Sequence, residues 1–154
     1  MEKILIVEDE EDIRDMLVET LSRLNYETVI AENGQIGLEQ FERHSVSLVI
    51  TDIRMPVMDG VDMLKVIRRQ DKKVPIIVIT GYPSVRSAVD SLVEGADYYL
   101  VKPINLTDLE VKIDKALQKT KMLHSLDVAR KATFFLVLTI PLWIGLGVLL
   151  AKLI

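Results

Sequence analysis

The sequence contains no cysteine, so disulfide bridges and thiolate metal sites are excluded. It also lacks a stripe of basic residues. The chain has 19 lysines and arginines against 23 acidic residues, for a net charge of -4, and its basic residues are scattered. Proteins that bind nucleic acid concentrate positive charge against the phosphates, so we expect no direct nucleic-acid partner.

A secretory signal peptide is not indicated at the start of the sequence. The first apolar run, from Ile4 to Val7, is far shorter than the apolar region of a signal peptide, and an acidic run follows it directly. We therefore expect the N-terminal part to stay in the cytoplasm. A chain of 154 residues has room for one ordinary domain and a short appendage, so one domain should carry the chemistry.

Charged residues are missing from residues 132–151, although they recur every few positions upstream. A helix of this length rises roughly 30 Å, about the thickness of the hydrocarbon core of a bilayer. The pattern predicts a single-pass transmembrane helix, with Arg130 and Lys131 on the cytoplasmic side. The alternative is an apolar helix that packs against a partner or a second copy. The predicted organisation is a domain over 1–120, a linker over 121–131 and a membrane span over 132–151.

Short runs rich in valine and isoleucine alternate with segments of helical periodicity through residues 1–120. This alternation is typical of a parallel sheet with helices on both faces. The predicted fold is α/β, a doubly wound five-stranded parallel sheet in the order 2-1-3-4-5. A first helix is predicted from the apolar spacing between Ile13 and Leu24. Strands are predicted at residues 3–7, 27–31, 47–51, 75–80 and 98–101, and further helices at 34–43, 61–70, 84–94 and 106–120.

Polar side chains stand where four of the predicted strands end. The first strand is followed by Glu8 and Asp9, the third by Asp52, the fourth ends in Thr80, and the fifth runs into Lys102. Because the carboxyl ends of parallel strands meet at one edge of a sheet, these groups should converge there. Neighbouring carboxylates repel one another unless a cation lies among them, and a set of oxygen ligands suits Mg²⁺ or Mn²⁺. The edge is therefore a predicted divalent-metal site.

A carboxylate beside such a cation is able to attack a phosphoryl group. Asp52 is the best candidate for the nucleophile, because it follows the central strand and precedes the turn over residues 53–60. The ammonium of Lys102 and the hydroxyl of Thr80 would neutralise the oxygens that gain charge. The pattern thus predicts phosphoryl transfer to an aspartate.

Four sequence blocks, ILIVEDE, VITDIRMPVMDG, PIIVITGY and GADYYLVKP, resemble the signature blocks of bacterial response-regulator receiver domains in order and spacing. The resemblance covers residues 1 to about 120 and implies a flavodoxin-like fold. It implies a two-component signalling protein that receives a phosphoryl group from a sensor histidine kinase or a phosphotransfer protein and then switches a surface that binds a downstream protein. Apart from phosphorylation of itself and later hydrolysis, no enzymatic activity is expected.

The resemblance also assigns roles to single residues. It implies that Asp52 accepts the phosphoryl group and that Lys102 pairs with the phosphoryl oxygens. It implies that Mg²⁺ is held by Glu8, Asp9, Asp52 and the backbone carbonyl of Arg54. One small departure is that Glu8 replaces the more usual aspartate of the acidic pair, which lengthens one arm toward the metal.

A conformational switch is implied by the same resemblance. Thr80 and Tyr99 would form the switch pair, in which the hydroxyl moves to the phosphate and the aromatic ring turns inward. The bond between Lys102 and Pro103 would be cis. The acidic residues 10–12 are interpreted differently, as cap and dipole partners of the first helix and not as metal ligands.

Two other classes of protein remain as alternatives. A metal-dependent phosphatase of similar fold would need a second aspartate just after the nucleophile, and Ile53 and Arg54 provide none. A pseudo-receiver that is never phosphorylated would act only as a scaffold at the membrane. The intact set of Glu8, Asp9, Asp52, Thr80 and Lys102 argues against that alternative.

Overall fold

Five parallel strands form the sheet at the centre of residues 1–120. The strands are β1 (Lys3–Val7), β2 (Glu27–Ala31), β3 (Leu48–Asp52), β4 (Ile76–Thr80) and β5 (Tyr98–Val101). In the computed structural model, which describes residues 1–81, 92 and 94–151, their order is β2-β1-β3-β4-β5. The predicted fold class and strand order are confirmed.

Four helices lie in the described part of the chain. They are α1 (Glu11–Arg23), α2 (Gly34–Arg43), α3 (Gly60–Gln70) and α4 (Leu106–Ala151). The side chain of Asn33 caps the start of α2 by accepting a hydrogen bond from the backbone of Ile36, as an N-cap asparagine commonly does. The helix predicted at residues 84–94 lies almost entirely outside the described residues.

The two central strands β3 and β4 are buried along their whole length. Their continuous apolar composition follows from this burial, because a parallel sheet with helices on both faces exposes neither face to water. Side chains of β1 alternate between two cores: Ile4 and Ile6 pack into one, and Leu5 and Val7 pack into the other. Helices α1 and α4 contribute to the first core and α3 to the second.

The predicted membrane span is wrong. Among the residues that the structure describes, no helix is both long enough and apolar enough to cross a bilayer. The transmembrane helix at 132–151, the single-pass membrane localisation and the membrane as a partner are therefore not supported.

The chain divides into two compact units, Met1–Thr120 and Lys121–Ile154. The first unit contains the whole sheet. In the second unit, residues 121–151 are helical, including the predicted linker at 121–131. Several apolar side chains of this unit are exposed, among them Phe134 and Phe135.

Candidate functional site

Four of the predicted site residues lie at the carboxyl-terminal edge of the sheet, as the sequence predicts. Glu8 follows β1, Asp52 is the last residue of β3, Thr80 is the last residue of β4, and Lys102 follows β5. Glu8 and Thr80 are 1% exposed and Asp52 is 6% exposed. Burial of a carboxylate or a hydroxyl is unfavourable unless the group has a hydrogen-bond or charge partner. The buried Glu8, Asp52 and Thr80 side chains therefore each need such a partner.

The ammonium of Lys102 lies among three carboxylates. Its Nζ donates to Oδ2 of Asp52 at 2.7 Å, to Oε1 of Glu8 at 3.0 Å and to Oε1 of Glu10 at 3.0 Å. A lysine ammonium has three donors, so these contacts use its full capacity. The side chain of Lys102 is only 11% exposed, and the pairing therefore stands largely out of water.

The carboxylate of Asp52 is fixed by backbone groups as well as by Lys102. Its Oδ1 accepts hydrogen bonds from the backbone N–H groups of Ile53 at 2.5 Å and Arg54 at 3.2 Å. One oxygen thus faces the loop after β3 and the other faces the lysine. Charge-assisted hydrogen bonds of this kind hold a carboxylate in one orientation.

The turn after β3 is built closely around Asp52. Gly60 begins α3, and a Cβ atom at this position would lie 1.9 Å from the backbone oxygen of Asp52. The preceding Asp59 caps α3 by accepting from the backbone of Asp62 at 2.8 Å. Val57, in the same turn, has a φ of 69° and is 85% exposed, an uncommon conformation for a β-branched residue.

Electrostatics at the site favour a charged lysine. Burial raises the pKa of the Glu8 carboxyl above its ordinary value, although the hydrogen bond from Lys102 opposes that rise. Burial by itself lowers the pKa of Lys102, but its hydrogen bonds to the three carboxylates outweigh burial and raise that pKa above its ordinary value. Lys102 therefore keeps its proton and its positive charge.

Glu10 is a member of the site that the sequence interpretation assigned elsewhere. It occupies the N-cap position of α1, but its side chain makes no capping hydrogen bond and instead contacts Lys102. Glu11 and Asp12 do lie in the first turn of α1, where acidic residues favour the helix dipole. Nothing in the sequence around residue 10 signals a partner that lies 92 residues away.

The remaining predicted residues lie around this cluster. Asp9 is exposed, and its carboxylate is not part of the close group of oxygens found among the described residues. Thr80 accepts a backbone hydrogen bond from Lys102 at 2.9 Å through its carbonyl oxygen. Tyr99 is half-buried against the second core. The bond between Lys102 and Pro103 is cis, in agreement with the resemblance.

The donor set at this edge fits a hard divalent cation. Glu8, Glu10 and Asp52 each offer one carboxylate oxygen, and these oxygens lie within 4.8 Å of one another. Carboxylate oxygens are the ligands that Mg²⁺ prefers in proteins. Lys102 already places one positive charge among the same three carboxylates.

Comparison with known proteins yields matches over the same part of the chain. Response regulator receiver domains match residues 4–114. The regulatory protein AtoC of Escherichia coli K12 is 39% identical over 120 residues, which are 78% of this chain and 26% of that protein. The probable transcriptional regulator ycf27 of Guillardia theta is 40% identical over 119 residues, 77% of this chain and 46% of that protein.

A solved structure gives the same result for the fold. The crystal structure of a response regulator receiver domain protein from Clostridium thermocellum aligns with a TM-score of 0.76 at 32% identity. The alignment covers 80% of this chain and 99% of that chain. By contrast, the chain spans less than half the length of the two relatives above, with 26% and 46% covered.

Proposed function

Because the chain belongs to the response regulator receiver family of two-component signalling, we propose that its function is phosphorylation on Asp52 by a histidine kinase or phosphotransfer protein, followed by altered binding of a downstream protein. The observation that carries this proposal is the contact of 2.7 Å between the Lys102 ammonium and Oδ2 of a buried Asp52. It supports the proposal because the proposed nucleophile lies next to a positive charge that would attract the phosphoryl oxygens.

The chemistry follows from the placement of these side chains. One carboxylate oxygen of Asp52 forms a bond to phosphorus while the bond between phosphorus and the donor's nitrogen breaks, and that electron pair leaves with the donor. Lys102 stands beside the oxygens that gain negative charge, and the Thr80 hydroxyl is proposed to bind one of them. Backbone N–H groups of Ile53 and Arg54 keep the carboxylate oriented for the attack.

A divalent cation, Mg²⁺ or Mn²⁺, is proposed as the cofactor of this step. Glu8 and Asp52 would hold it, with Asp9 and the backbone carbonyl of Arg54 as the further ligands that the family resemblance implies. When bound there, the cation supplies positive charge against the phosphoryl group. The buried position of Glu8 supports this assignment, because a carboxylate with a burial-raised pKa is stabilised in its charged form by a cation.

The output of the phosphorylated protein is proposed to be a change of its binding surface. Thr80 and Tyr99 are the proposed switch pair, and they lie on β4 and β5, the last two strands of the sheet. AtoC is a regulatory protein and ycf27 a probable transcriptional regulator, and both are longer than this chain. We propose that this chain supplies the receiver step, with a protein as its direct partner and no turnover of other substrates.

A scaffold that is never phosphorylated is the second candidate. It would require only a folded surface, whereas the buried Glu8, Asp52 and Lys102 cluster maintains three charged groups that packing alone does not need. A phosphatase is less well supported because Ile53 and Arg54 provide no general acid after Asp52. The proposed function is therefore the one that explains the charged cluster.

Intact-mass analysis tests the proposal directly. The full chain is incubated with Mg²⁺ and acetyl phosphate, next to Asp52→Asn and the matched control Asp62→Asn, an exposed aspartate on α3. We expect a single phosphoryl adduct in the native chain and in the control and none in Asp52→Asn. Equal labelling of all three proteins, or none in any of them, would contradict the assignment.

The switch is measured on the same samples. In amide NMR spectra, phosphorylation of the native chain should shift the signals of residue 80 and Tyr99. The Thr80→Ala variant should lack these shifts, although it is still labelled on Asp52. Identical shifts in native and Thr80→Ala protein would show that Thr80 is not part of the switch.

A further inference from the structure

Glu10 occupies the N-cap position of α1, where a short polar side chain normally stabilises the helix. An N-cap side chain usually accepts a hydrogen bond from the second or third N–H group of its helix. Glu10 has the extended backbone of an N-cap residue, with φ -77° and ψ 112°, yet its side chain makes no such bond. Its Oε1 accepts from Nζ of Lys102 instead, at 3.0 Å.

The three partners of Lys102 differ in their access to water. The side chains of Glu8 and Asp52 are 1% and 7% exposed, whereas that of Glu10 is 61% exposed. The Lys102 ammonium thus contacts two buried carboxylates on its inner side and one exposed carboxylate, that of Glu10, at the water-facing rim of the site. The two inner carboxylates are also the proposed metal ligands.

We propose that Glu10 is a positioning residue for Lys102, which keeps the ammonium at the rim of the site when a divalent cation takes Glu8 and Asp52. This inference rests on the proposed function, because it assumes that a cation binds there. A divalent cation held by Glu8 and Asp52 would compete with Lys102 for these two carboxylates and would repel its positive charge. Glu10 is then the carboxylate that remains to neutralise the lysine.

This role differs from that of a metal ligand. If Glu10 coordinated the cation itself, its loss would weaken metal binding whether or not Lys102 is present. If Glu10 acts through Lys102, its contribution to metal affinity disappears when the lysine is removed. A double-mutant cycle separates the two roles, because it isolates the coupling between two side chains.

The experiment measures Mg²⁺ binding to the full chain by calorimetric titration. The proteins are the native chain, Glu10→Gln, Lys102→Met and the double variant, with Glu11→Gln as a matched control that removes the same charge one residue away. We expect Glu10→Gln to weaken Mg²⁺ binding by about two- to fivefold, the range for a partly exposed ion pair. Glu11→Gln should change it by less than that, and Glu10→Gln should have no effect in the Lys102→Met background.

A second readout does not depend on the folding of Lys102→Met. In Mg²⁺-saturated protein, the side-chain resonances of Lys102 should shift in Glu10→Gln and stay unchanged in Glu11→Gln. Equal weakening of Mg²⁺ binding by Glu10→Gln in both backgrounds would overturn the inference and make Glu10 a ligand, and unchanged Lys102 resonances would also overturn it. If the native chain binds no Mg²⁺, the proposed cofactor fails together with the inference; if it binds Mg²⁺ but Glu10→Gln matches Glu11→Gln, only the inference fails.

Discussion

Gly60 sets the tightest steric condition at the candidate phosphorylation site. A Cβ atom here would lie 1.9 Å from the backbone oxygen of Asp52 and 2.8 Å from Oγ1 of Thr51. Gly60→Ala therefore has to displace α3 or the end of β3, and we expect it to lower the free energy of unfolding by about 2 to 3 kcal/mol. Labelling of Asp52 by acetyl phosphate should fall as well, because the carboxylate moves with its backbone.

Gly81→Ala is the matched control for this substitution. Gly81 also lies at the edge of the site, but a Cβ atom there meets its nearest neighbour, Cδ of Lys102, at an ordinary 3.6 Å. Urea denaturation of both variants measures the difference. If Gly60→Ala were no less stable than Gly81→Ala, the close approach between α3 and β3 would not be a feature of the protein in solution.

The site residues that the sequence predicts are those fixed by the ends of strands. Asp52 and Lys102 could be placed at one edge because parallel strands in this fold end there, whatever their distance along the chain. Glu10 could not be placed, since the local pattern of an acidic residue before a helix predicts a cap. Its contact with Lys102 depends on tertiary structure, which overrides the local preference. Gly60 was likewise interpreted only as part of a turn, and the pattern could not show that a Cβ atom at this position would collide with Asp52.

At the scale of elements, Arg68 joins the end of α3 to the beginnings of β4 and β5. Its guanidinium donates to the carbonyl oxygens of Val74 at 2.6 Å and Gly95 at 2.8 Å, and to Oδ2 of Asp97 at 3.1 Å. Asp97 in turn accepts from the backbone N–H of Ile76 at 3.1 Å. Burial lowers the pKa of Arg68, an effect that the charge of Asp97 opposes.

Replacing this arginine should loosen the junction without affecting the chemistry. A lysine cannot reproduce the planar fork, so Arg68→Lys leaves carbonyl groups without their partner, and we expect a loss of about 1 to 3 kcal/mol in unfolding free energy. Arg69→Lys, at the exposed next position of α3, is the control and should change stability little. Both variants should still be labelled on Asp52, because the junction lies at the opposite end of the sheet. Equal stability of the two variants in urea would argue against this role of Arg68.

The bounds of the elements show how far periodicity alone determines them. Strands β1, β2 and β5 have their predicted bounds, whereas β3 ends one residue later than predicted, at Asp52. That residue pairs with Ile79 of β4, and a sequence pattern cannot show whether a polar residue after an apolar run still belongs to the ladder. The helix that begins at Leu106 was predicted to end at residue 120 and to be separated by a linker from a second helix at 132–151, but one continuous helix extends to Ala151. Absence of charge over 132–151 was a poor guide to a membrane span, because no helix of the described residues is long and apolar enough to cross a bilayer.

At the scale of the whole molecule, a hydrogen bond joins two distant parts of the receiver unit. The hydroxyl of Tyr26, just before β2, donates to Oδ1 of Asp114 on α4 at 3.2 Å. Burial raises the pKa of Tyr26 to about 12, and the neighbouring carboxylate of Asp114 adds to that effect. The folded protein therefore holds the phenol proton more tightly than the unfolded chain, in which a tyrosine has a pKa of about 10.

This difference predicts how stability depends on alkaline pH. Between about pH 10 and pH 12 the unfolded chain releases the Tyr26 proton while the folded protein retains it, so rising pH favours unfolding. The stability that the Tyr26 proton contributes is fully present below about pH 10. It is lost as the pH rises through the pKa of Tyr26 in the folded protein. Tyr26→Phe has no such proton, and its unfolding free energy should fall less steeply than that of the native chain over this interval.

Chemical denaturation at a series of pH values measures the two slopes. Tyr98→Phe is the matched control, since among the described residues the phenol that it removes makes no hydrogen bond to Asp114. The slope of Tyr26→Phe should also be shallower than that of Tyr98→Phe. The hydrogen bond joins residues that lie 88 positions apart in the sequence. If Tyr26→Phe and the native chain had equal slopes, this hydrogen bond would not persist in solution.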